Sequence, residues 1–444
     1  MFGCLTLFKE LIRRYFSMYK RLYWLDLCLD LMFNSFGFDI TKISDFLKLT
    51  DHAVSVCGYS LETLKNKDQR QKVCWIYSYV GFGFHGTGSY SEALKWNMEA
   101  LRLAEDIYGS KHINVVKIIN NIAEIYNDTG EYTVALEWHE KALVICEEIH
   151  ETETAEIATL YNNIGSDYHA LGNYVKALEW FEKALKIRET ILEQEDIDLA
   201  QSYNNVANEH RLLGNIQEAL DFNNKALDLR VKICGSEHPL TAASLNNLAG
   251  IYIKGGMVDE AFELYTDALK IYKKVYSEIE NHPDIATAYN NLASAFIKKE
   301  DVEKAFEYYT IAWNMRIKIF GMEHPDTLSS HNNIAFVYSK QGKYEKALEL
   351  HKNILKIKLA NGGENPNTAT SYNNIGACYY RLGNFEEALK WFHKSLVIHK
   401  DSFGDSSYET INVENNLRLT FTEAQNDNPN KYPFSFEEWQ KNAR

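Results

Sequence analysis

Proline, paired cysteine and long uncharged stretches are all scarce in this sequence. Only 6 of its 444 residues are proline, so little interrupts helical segments. Its 7 cysteines are odd in number, widely spaced and never arranged as C-x-x-C, which argues against a disulfide framework or a zinc site and fits a reducing compartment. No run of about 20 uncharged apolar residues is present to span a membrane. These absences favour a cytoplasmic protein without a metal or other cofactor.

Positive charge is also in short supply. The chain carries 47 Lys and Arg against 61 Asp and Glu, which gives a net charge of −14. An acidic chain attracts phosphate groups poorly, so nucleic acid is not an expected partner. With 45% hydrophobic and 24% charged residues and abundant aromatics, the composition is that of a folded protein.

The first 25 residues depart from this charge balance. They hold five basic residues and one acidic residue, interleaved with aromatic and aliphatic ones. Two interpretations are structural, a helix docked on the end of the folded domain or a start codon placed too early, and a third is a helix that contacts a membrane surface. A secretory signal is not expected, because charges interrupt each apolar stretch and no small-residue cleavage site follows. We assign residues 1–40 to this basic aromatic segment and residues 41–70 to a degenerate capping helix.

A repeat of about 42 residues dominates the rest of the chain. A glycine ahead of an aromatic or aliphatic residue returns in step, with one exception. Its eight positions are Gly88, Gly130, Gly172, Gly214, Gly256, Glu300, Gly342 and Gly383. An alanine five residues later keeps the same step at Ala93, Ala135, Ala177, Ala219, Ala261, Ala305, Ala347 and Ala388. Such a period is the signature of stacked structural repeats.

Each repeat is predicted to form two helices. In the third copy, an apolar stripe at helical spacing runs from Tyr161 to Tyr168. Gly172 follows with a residue type that tolerates left-handed backbone geometry, and a second stripe runs from Tyr174 to Ala184. Small residues alternate with aromatic ones, so two helices can approach closely while rings fill the gaps.

Four of the six prolines share one position in the repeat. Each belongs to a His-Pro or Asn-Pro turn and lies near the first position of the helix that follows, where its missing N–H costs nothing. These prolines are Pro239, Pro283, Pro325 and Pro366.

The order small, aromatic, glycine, aromatic, alanine resembles the tetratricopeptide repeat, and the long period with Asn-Asn pairs and His-Pro turns is similar to its kinesin-light-chain-like subclass, also found in bacterial repeat proteins. The resemblance covers roughly residues 70–425 and departs from the pattern at His210, at Glu300 and near 278–280. It implies an all-α, right-handed superhelical solenoid of antiparallel helix pairs. We expect about eight units over residues 71–411, then a capping helix and apolar lid over 412–444.

Catalytic motifs are missing from the sequence. It contains no glycine-rich phosphate loop, no H-E-x-x-H and no nucleophile elbow, so we predict that the protein is not an enzyme. Its histidines recur at repeat positions, which favours structural or turn-capping roles. The aromatic columns, with tryptophans at Trp96, Trp138, Trp180 and Trp391, are predicted to belong to the core.

An Asn-Asn pair lies within the first helix of seven repeats. Asparagine is a mediocre helix former, so its return needs a reason. On a helical wheel the second Asn of a pair points about 150° away from the buried stripe. In the resembling family the first helices line the concave surface and groove asparagines clamp peptide backbone, which implies a peptide-binding ladder of these second asparagines. The ladder is Asn121, Asn163, Asn205, Asn247, Asn291, Asn333 and Asn374. The alternative is that the amides tie one repeat to the next, which we assign to the first Asn of each pair.

Four basic residues follow the ladder along the same predicted face. They are Lys254, Lys298, Lys340 and Arg381. One interpretation is a positive strip that binds an acidic segment or a C-terminal carboxylate of the partner. The other is that these cations only complement the dipoles of the helices they end.

The leading hypothesis is a protein-interaction scaffold or adaptor that binds an extended protein or peptide segment, acidic in one version, in a concave asparagine-lined groove. Variable groove positions would set its specificity, and they are Lys117, Glu124, Ser166, Asn208, Phe336 and Arg381. One alternative is a sensor that binds a signalling peptide and changes curvature. Another is the regulatory arm of a multi-component signalling system.

Overall fold

The computed structural model describes residues 67–149, 153–191, 196–405 and 407–442. They form two compact units, the first ending at Leu160 and the second beginning at Tyr161. The predicted N-terminal segment, its proposed membrane contact and nearly all of the predicted first capping helix lie outside these described residues.

Helices follow one another in pairs joined by short turns. The first unit holds α1 (Lys67–Gly86), α2 (Tyr90–Tyr108), α3 (Ile113–Asp128), α4 (Tyr132–Ile149) and the start of α5 (Ala155–Ala170). The second unit holds the rest of α5, α6 (Tyr174–Ile191), α7 (Ile197–Leu213), α8 (Ile216–Cys234), α9 (Pro239–Lys254), α10 (Val258–Val275), α11 (Pro283–Lys298), α12 (Val302–Phe320), α13 (Pro325–Lys340), α14 (Tyr344–Gly362), α15 (Pro366–Arg381), α16 (Phe385–Phe403), α17 (Tyr408–Asp427) and α18 (Phe436–Asn442). Helices α1 to α16 make eight pairs, each with an odd-numbered first helix and an even-numbered second helix. The predicted all-α fold class of consecutive helix pairs is confirmed.

The turn inside each pair uses a left-handed residue. Gly172 has a φ of 71° and Gly214 a φ of 85°. Glu300, the exception in the glycine column, takes the same conformation with a φ of 61°, and it is the sole non-glycine residue of the described ranges with positive φ. The turn is therefore kept in this pair, although a side chain in this conformation costs about 1–2 kcal/mol.

Histidine and proline together begin three of the first helices. The side chains of His238, His282 and His324 each accept a hydrogen bond from the backbone N–H two residues later, and proline follows at the first helical position. Asn365 caps α15 through a reciprocal capping box with Thr368. The predicted position of the prolines is confirmed, and these histidines have a capping role.

Small residues let the two helices of a pair touch. The alanine column is completely buried, as at Ala177. Gly165 of α5 lies against the ring of Phe181 in α6, and Gly376 of α15 lies against Phe392 in α16. A Cβ added at these glycines would come within 2.8 Å and 2.9 Å of the rings, so the aromatic residue depends on the missing side chain opposite it.

The tryptophans predicted as core are half-buried. Trp96, Trp180 and Trp391 each pack against a tyrosine of the first helix in their pair. A lysine covers the outer side of each ring, and at Trp180 the Nζ of Lys183 lies 3.9 Å from the ring centre. Trp138 is covered in the same way. These rings form the edge of the core, where they can hold a cation, and not its centre.

Buried arginines connect consecutive helix pairs. Arg230 of α8 is 3% exposed and donates to Ser244 Oγ of α9 at 2.9 Å and to Gln201 Oε1 of α7 at 2.8 Å. Arg316 of α12 makes the equivalent bond to Ser330 Oγ of α13 at 2.8 Å. Each guanidinium therefore joins the second helix of one pair to the first helix of the next, and its planar fork suits this role.

The C-terminal end of the second unit is covered by side chains that follow α17. Tyr432 and Phe436 are buried against Phe421, and Trp439 stacks on Phe436. Phe434, which the sequence assigns to the same apolar lid, is instead 44% exposed.

Candidate functional site

The predicted asparagine ladder lies on the first helices of seven pairs, α3 to α15. Asn247 is exposed, and the other members are half-buried, namely Asn121, Asn163, Asn205, Asn291, Asn333 and Asn374. A half-buried amide on a helix surface can use some of its donors and acceptors within the protein and offer the rest to a ligand.

Some ladder amides bond to the preceding helix pair. Asn205 donates from Nδ2 to Asn162 Oδ1 at 2.6 Å, and Asn333 donates to Asn290 Oδ1 at 2.7 Å. Beyond the ladder, Asn416 of α17 repeats the contact with Asn373 at 3.1 Å. Each tie thus joins the second Asn of one helix pair to the first Asn of the preceding helix pair. The sequence assigned such ties to the first Asn. The peptide-binding role of the ladder stays a prediction.

Six asparagines line one cavity of about 260 Å³ in the second unit, to which each of the helices α7 to α11 contributes. We call it the amide cavity. Its asparagines are Asn204, Asn208, Asn223, Asn246, Asn247 and Asn291, and its other lining residues are Ala207, Arg211, Gly250, Ile251 and Tyr265. The structure therefore brings the ladder members Asn247 and Asn291 together with the variable groove position Asn208.

The floor of the amide cavity is buried and incompletely bonded. Asn204, with its side-chain oxygen turned toward Arg230, accepts from that guanidinium at 2.7 Å and donates to Asn223 Oδ1 at 3.2 Å. Asn223 also donates to the Ser244 carbonyl at 3.3 Å. Asn246 is only 9% exposed, and its Oδ1 has no hydrogen-bond partner. A buried amide oxygen without a donor costs about 1–3 kcal/mol, so a ligand N–H that reached Asn246 would be favoured.

Arg211 and Tyr265 add a charge and a hydroxyl to the amides. Arg211 donates to Asn208 Oδ1 at 2.6 Å. Burial raises the pKa of the Tyr265 hydroxyl to about 12, although the nearby Arg211 cation lowers it. The hydroxyl therefore stays protonated at neutral pH and can donate. The cavity thus offers both donors and acceptors, the two kinds of group that an extended peptide backbone presents.

Sequence reasoning missed Arg211 and Tyr265. The predicted basic column passes through Leu212, one residue beyond Arg211, so the arginine fell outside it. Tyr265 belongs to the second helix α10 and occupies the repeat position of the buried Phe181, which made it a core candidate. A polar tip on a core aromatic was the available signal, because a buried tyrosine hydroxyl usually has a polar partner.

The first unit has a cavity of its own, of about 530 Å³. Asn121 of the ladder and the variable groove position Lys117 line it, together with Trp75, Tyr108 and Glu156 among others. The size and the mixed apolar and polar lining are those of a ligand pocket. Burial raises the pKa of its Cys74 thiol to about 11, so this thiol is protonated at neutral pH.

The four predicted basic residues share one structural position. Lys254, Lys298, Lys340 and Arg381 are exposed, and each is the last residue of its helix. Lys340 also lies 5.4 Å from the ring centre of Phe336, which is 45% exposed. A helix C-terminus favours a cation, and an exposed cation beside an exposed ring can bind an acidic segment, so both interpretations fit this position.

The described residues hold neither a metal-binding cluster nor a membrane-spanning helix. No group of three or more His, Cys, Asp or Glu side chains there could hold a metal ion. None of the helices in the described ranges is long and apolar enough to cross a membrane.

Comparison with known proteins identifies the repeat. The model of the tetratricopeptide repeat matches residues 114–190, 198–274, 284–360 and 367–428. The crystal structure of BtubC (BKLC) from P. vanneervenii covers 53% of this chain and 94% of its own, with 23% identity and a TM-score of 0.44. A putative kinesin light chain from Podosopora anserina with nearly identical TPR-like repeats covers 47% and 98%, with 26% identity and a TM-score of 0.36. A Rap protein complexed with Competence and Sporulation Factor covers 78% and 99%, with 15% identity and a TM-score of 0.48. No curated protein matches the chain in sequence.

Proposed function

Because the chain belongs to the tetratricopeptide-repeat family, whose model matches well over half of its length, we propose that it is a protein-interaction scaffold that holds an extended segment of a partner polypeptide against its first helices. The repeat fold of this family is typically a non-catalytic interaction scaffold. The scaffold role rests on the family, and the peptide groove rests on the geometry of the first helices.

The amide cavity is the observation that carries the groove proposal. Its six asparagine side chains supply donors and acceptors without charge, which suits the backbone of a partner whatever its sequence. The unpaired Oδ1 of Asn246 needs a donor, and the N–H groups of an extended chain are donors. Asn247 is exposed and Asn291 is half-buried, so both lining amides keep surface that a ligand can contact.

The exposed cations support an acidic partner segment. The protein has a net charge of −14, so four consecutive first helices that end in Lys or Arg create a local field opposite to that of the whole chain. An acidic peptide would be repelled by most of the surface and attracted to this strip, which favours one orientation in the groove.

A phage-displayed library of random peptides tests the proposed function. We expect the wild-type protein to enrich a set of peptides, and the double variant Asn247→Ala/Asn291→Ala to bind those peptides at least about tenfold more weakly, because each lost backbone hydrogen bond is worth roughly 0.5–1.5 kcal/mol. Binding of each enriched peptide is then measured by calorimetry.

The matched control is Asn224→Ala/Asn314→Ala, which removes two exposed asparagines from the second helices α8 and α12. It should bind the enriched peptides as the wild type does. Equal affinity of both double variants would place the binding site away from the amide cavity, and a library that yields no enriched peptide would argue against peptide recognition.

A further inference from the structure

The two ends of the second unit touch across a separation of 235 residues. The hydroxyl of Tyr174, the first residue of α6, donates to Glu409 Oε1 in the first turn of α17 at 3.3 Å. The same carboxylate lies directly over Gly172, where an added Cβ would overlap with it. We call this contact the latch.

Gly172 differs from five of its equivalents in the other repeats. Five glycines at the same turn of other pairs have open space where a Cβ would be, and they are Gly88, Gly214, Gly256, Gly342 and Gly383. All share a left-handed backbone. Among these six glycines, Gly172 is the one whose missing side chain also makes room for another segment of the chain.

The bonding of Glu409 makes the latch easy to open. Its Oε1 has one hydrogen bond, and at 3.3 Å this bond is longer than usual for O–H···O. Its Oε2 is buried without any partner. A carboxylate oxygen that is removed from water and has no donor is unfavourable. Opening the latch lets water reach this oxygen, so the opening costs little free energy.

We propose that this latch is a conformational switch that opens and closes the second unit. The chain between Tyr174 and Glu409 forms a closed loop while the latch is made, and α7, α9 and α11, which line the amide cavity, belong to that loop. In stacked helix pairs a change of end-to-end distance is spread over the angles between neighbouring pairs. Opening the latch therefore changes the angles between the helices of the amide cavity.

Hydrogen exchange of the full chain, followed by mass spectrometry, tests the latch without any ligand. Gly172→Ala places a methyl group where Glu409 lies, and it should raise severalfold the exchange of the amides of Thr410 and Ile411, which bond to Ser407 at the start of α17. The matched variant is Gly214→Ala, which bears the same left-handed strain but faces open space. It should leave Thr410 and Ile411 unchanged.

A reciprocal pair of variants approaches the latch from its other side. Glu409→Ala should raise the exchange of the Gly172 and Asn173 amides, whereas Glu423→Ala, which removes another glutamate of α17, should not. Glu409→Ala adds no backbone strain, so it still tests the latch if Gly172→Ala fails to fold. The proposal is overturned if the α17 amides ignore Gly172→Ala, or if Gly214→Ala accelerates them equally. Neither result depends on the proposed peptide groove.

Discussion

His351 occupies a repeat position that holds phenylalanine in two other pairs. It lies nine residues after the turn glycine of its pair, as do Phe181 and Phe392, and it is 5% exposed. Its Nδ1 is 3.0 Å from Asn332 Oδ1. Burial, with further contributions from His331 and Lys358, lowers the pKa of His351 to about 4. The imidazole is therefore held neutral in the folded protein.

Replacement of His351 should remove a pH dependence of stability. The folded-state pKa lies below the ordinary value of 6.5, so the stabilisation is complete above about pH 6.5 and is lost as the pH falls toward 4. Between pH 7 and pH 5 this group should cost the wild type about 2 kcal/mol of unfolding free energy. In His351→Phe that part of the loss should disappear, which urea denaturation at the two pH values would measure.

The reverse exchange, Phe392→His, is the control for this prediction. It places an imidazole at the equivalent buried position in α16 and should create a loss of stability between pH 7 and pH 5 where the wild type has none from that site. If His351→Phe keeps the full wild-type pH dependence, the buried imidazole is not its source.

Single residues of the turn and core were readable from the sequence, but their neighbourhoods were not. The glycine and alanine columns predicted the left-handed turns and the buried contacts, because backbone conformation and side-chain volume allow few residue types there. The contact of Glu409 with Gly172 left no trace in the repeat, since glycine stands at this turn in seven of the eight pairs whether or not another segment lies over it.

Arginine and serine form a strut between neighbouring helix pairs. Arg188, Arg230 and Arg316 each donate to a serine fourteen residues later, in the first helix of the next pair. In one pair the arginine position holds Tyr272, and the corresponding serine position holds Ala288. At that place a tyrosine and an alanine together occupy the two positions that arginine and serine occupy in these three struts.

Replacement of an arginine-serine strut by the tyrosine-alanine combination should be tolerated better than loss of the arginine alone. Arg316→Met leaves the acceptors Ser330, Thr287 and the Asp326 carbonyl without their donor, so we expect a loss of roughly 2–4 kcal/mol. The double variant Arg316→Tyr/Ser330→Ala copies the natural alternative and should recover most of that loss. Urea denaturation of the wild type and the two variants measures these free energies of unfolding. A double variant that is no more stable than Arg316→Met would show that the two combinations are not interchangeable.

The helices themselves were predictable, whereas the struts between them were missed. Periodicity of apolar residues and the His-Pro turns determine where helices begin and end, so the eight pairs followed from the sequence. The arginines alone did not indicate burial, because a charged side chain is almost never buried unless paired. The serine that follows fourteen residues later is the hydrogen-bond partner that indicates burial of each arginine.

The amide cavity and the latch belong to the arrangement of many helices in the second unit. Both depend on small angles between pairs that add up along the chain, and no local pattern contains that sum. The sequence therefore predicted which face carries Asn247 and Asn291, but not that Arg211, Tyr265 and Asn246 would converge with them around one cavity.

The role of the basic residues at the helix ends can be tested by reversing their charge in this acidic protein. Lys298→Glu/Lys340→Glu and Lys186→Glu/Lys356→Glu add the same negative charge to the acidic chain, but the second pair lies on the second helices α6 and α14. We expect the first double variant to weaken binding of an acidic peptide enriched from the library and to flatten its salt dependence, because salt screens charges that face each other in the groove. The second should change affinity only slightly, through the net charge. Equal effects of the two variants would leave the cations with only their helix-dipole role, worth about 0.3–1 kcal/mol each, and the orientation of the peptide would then depend on the asparagines alone.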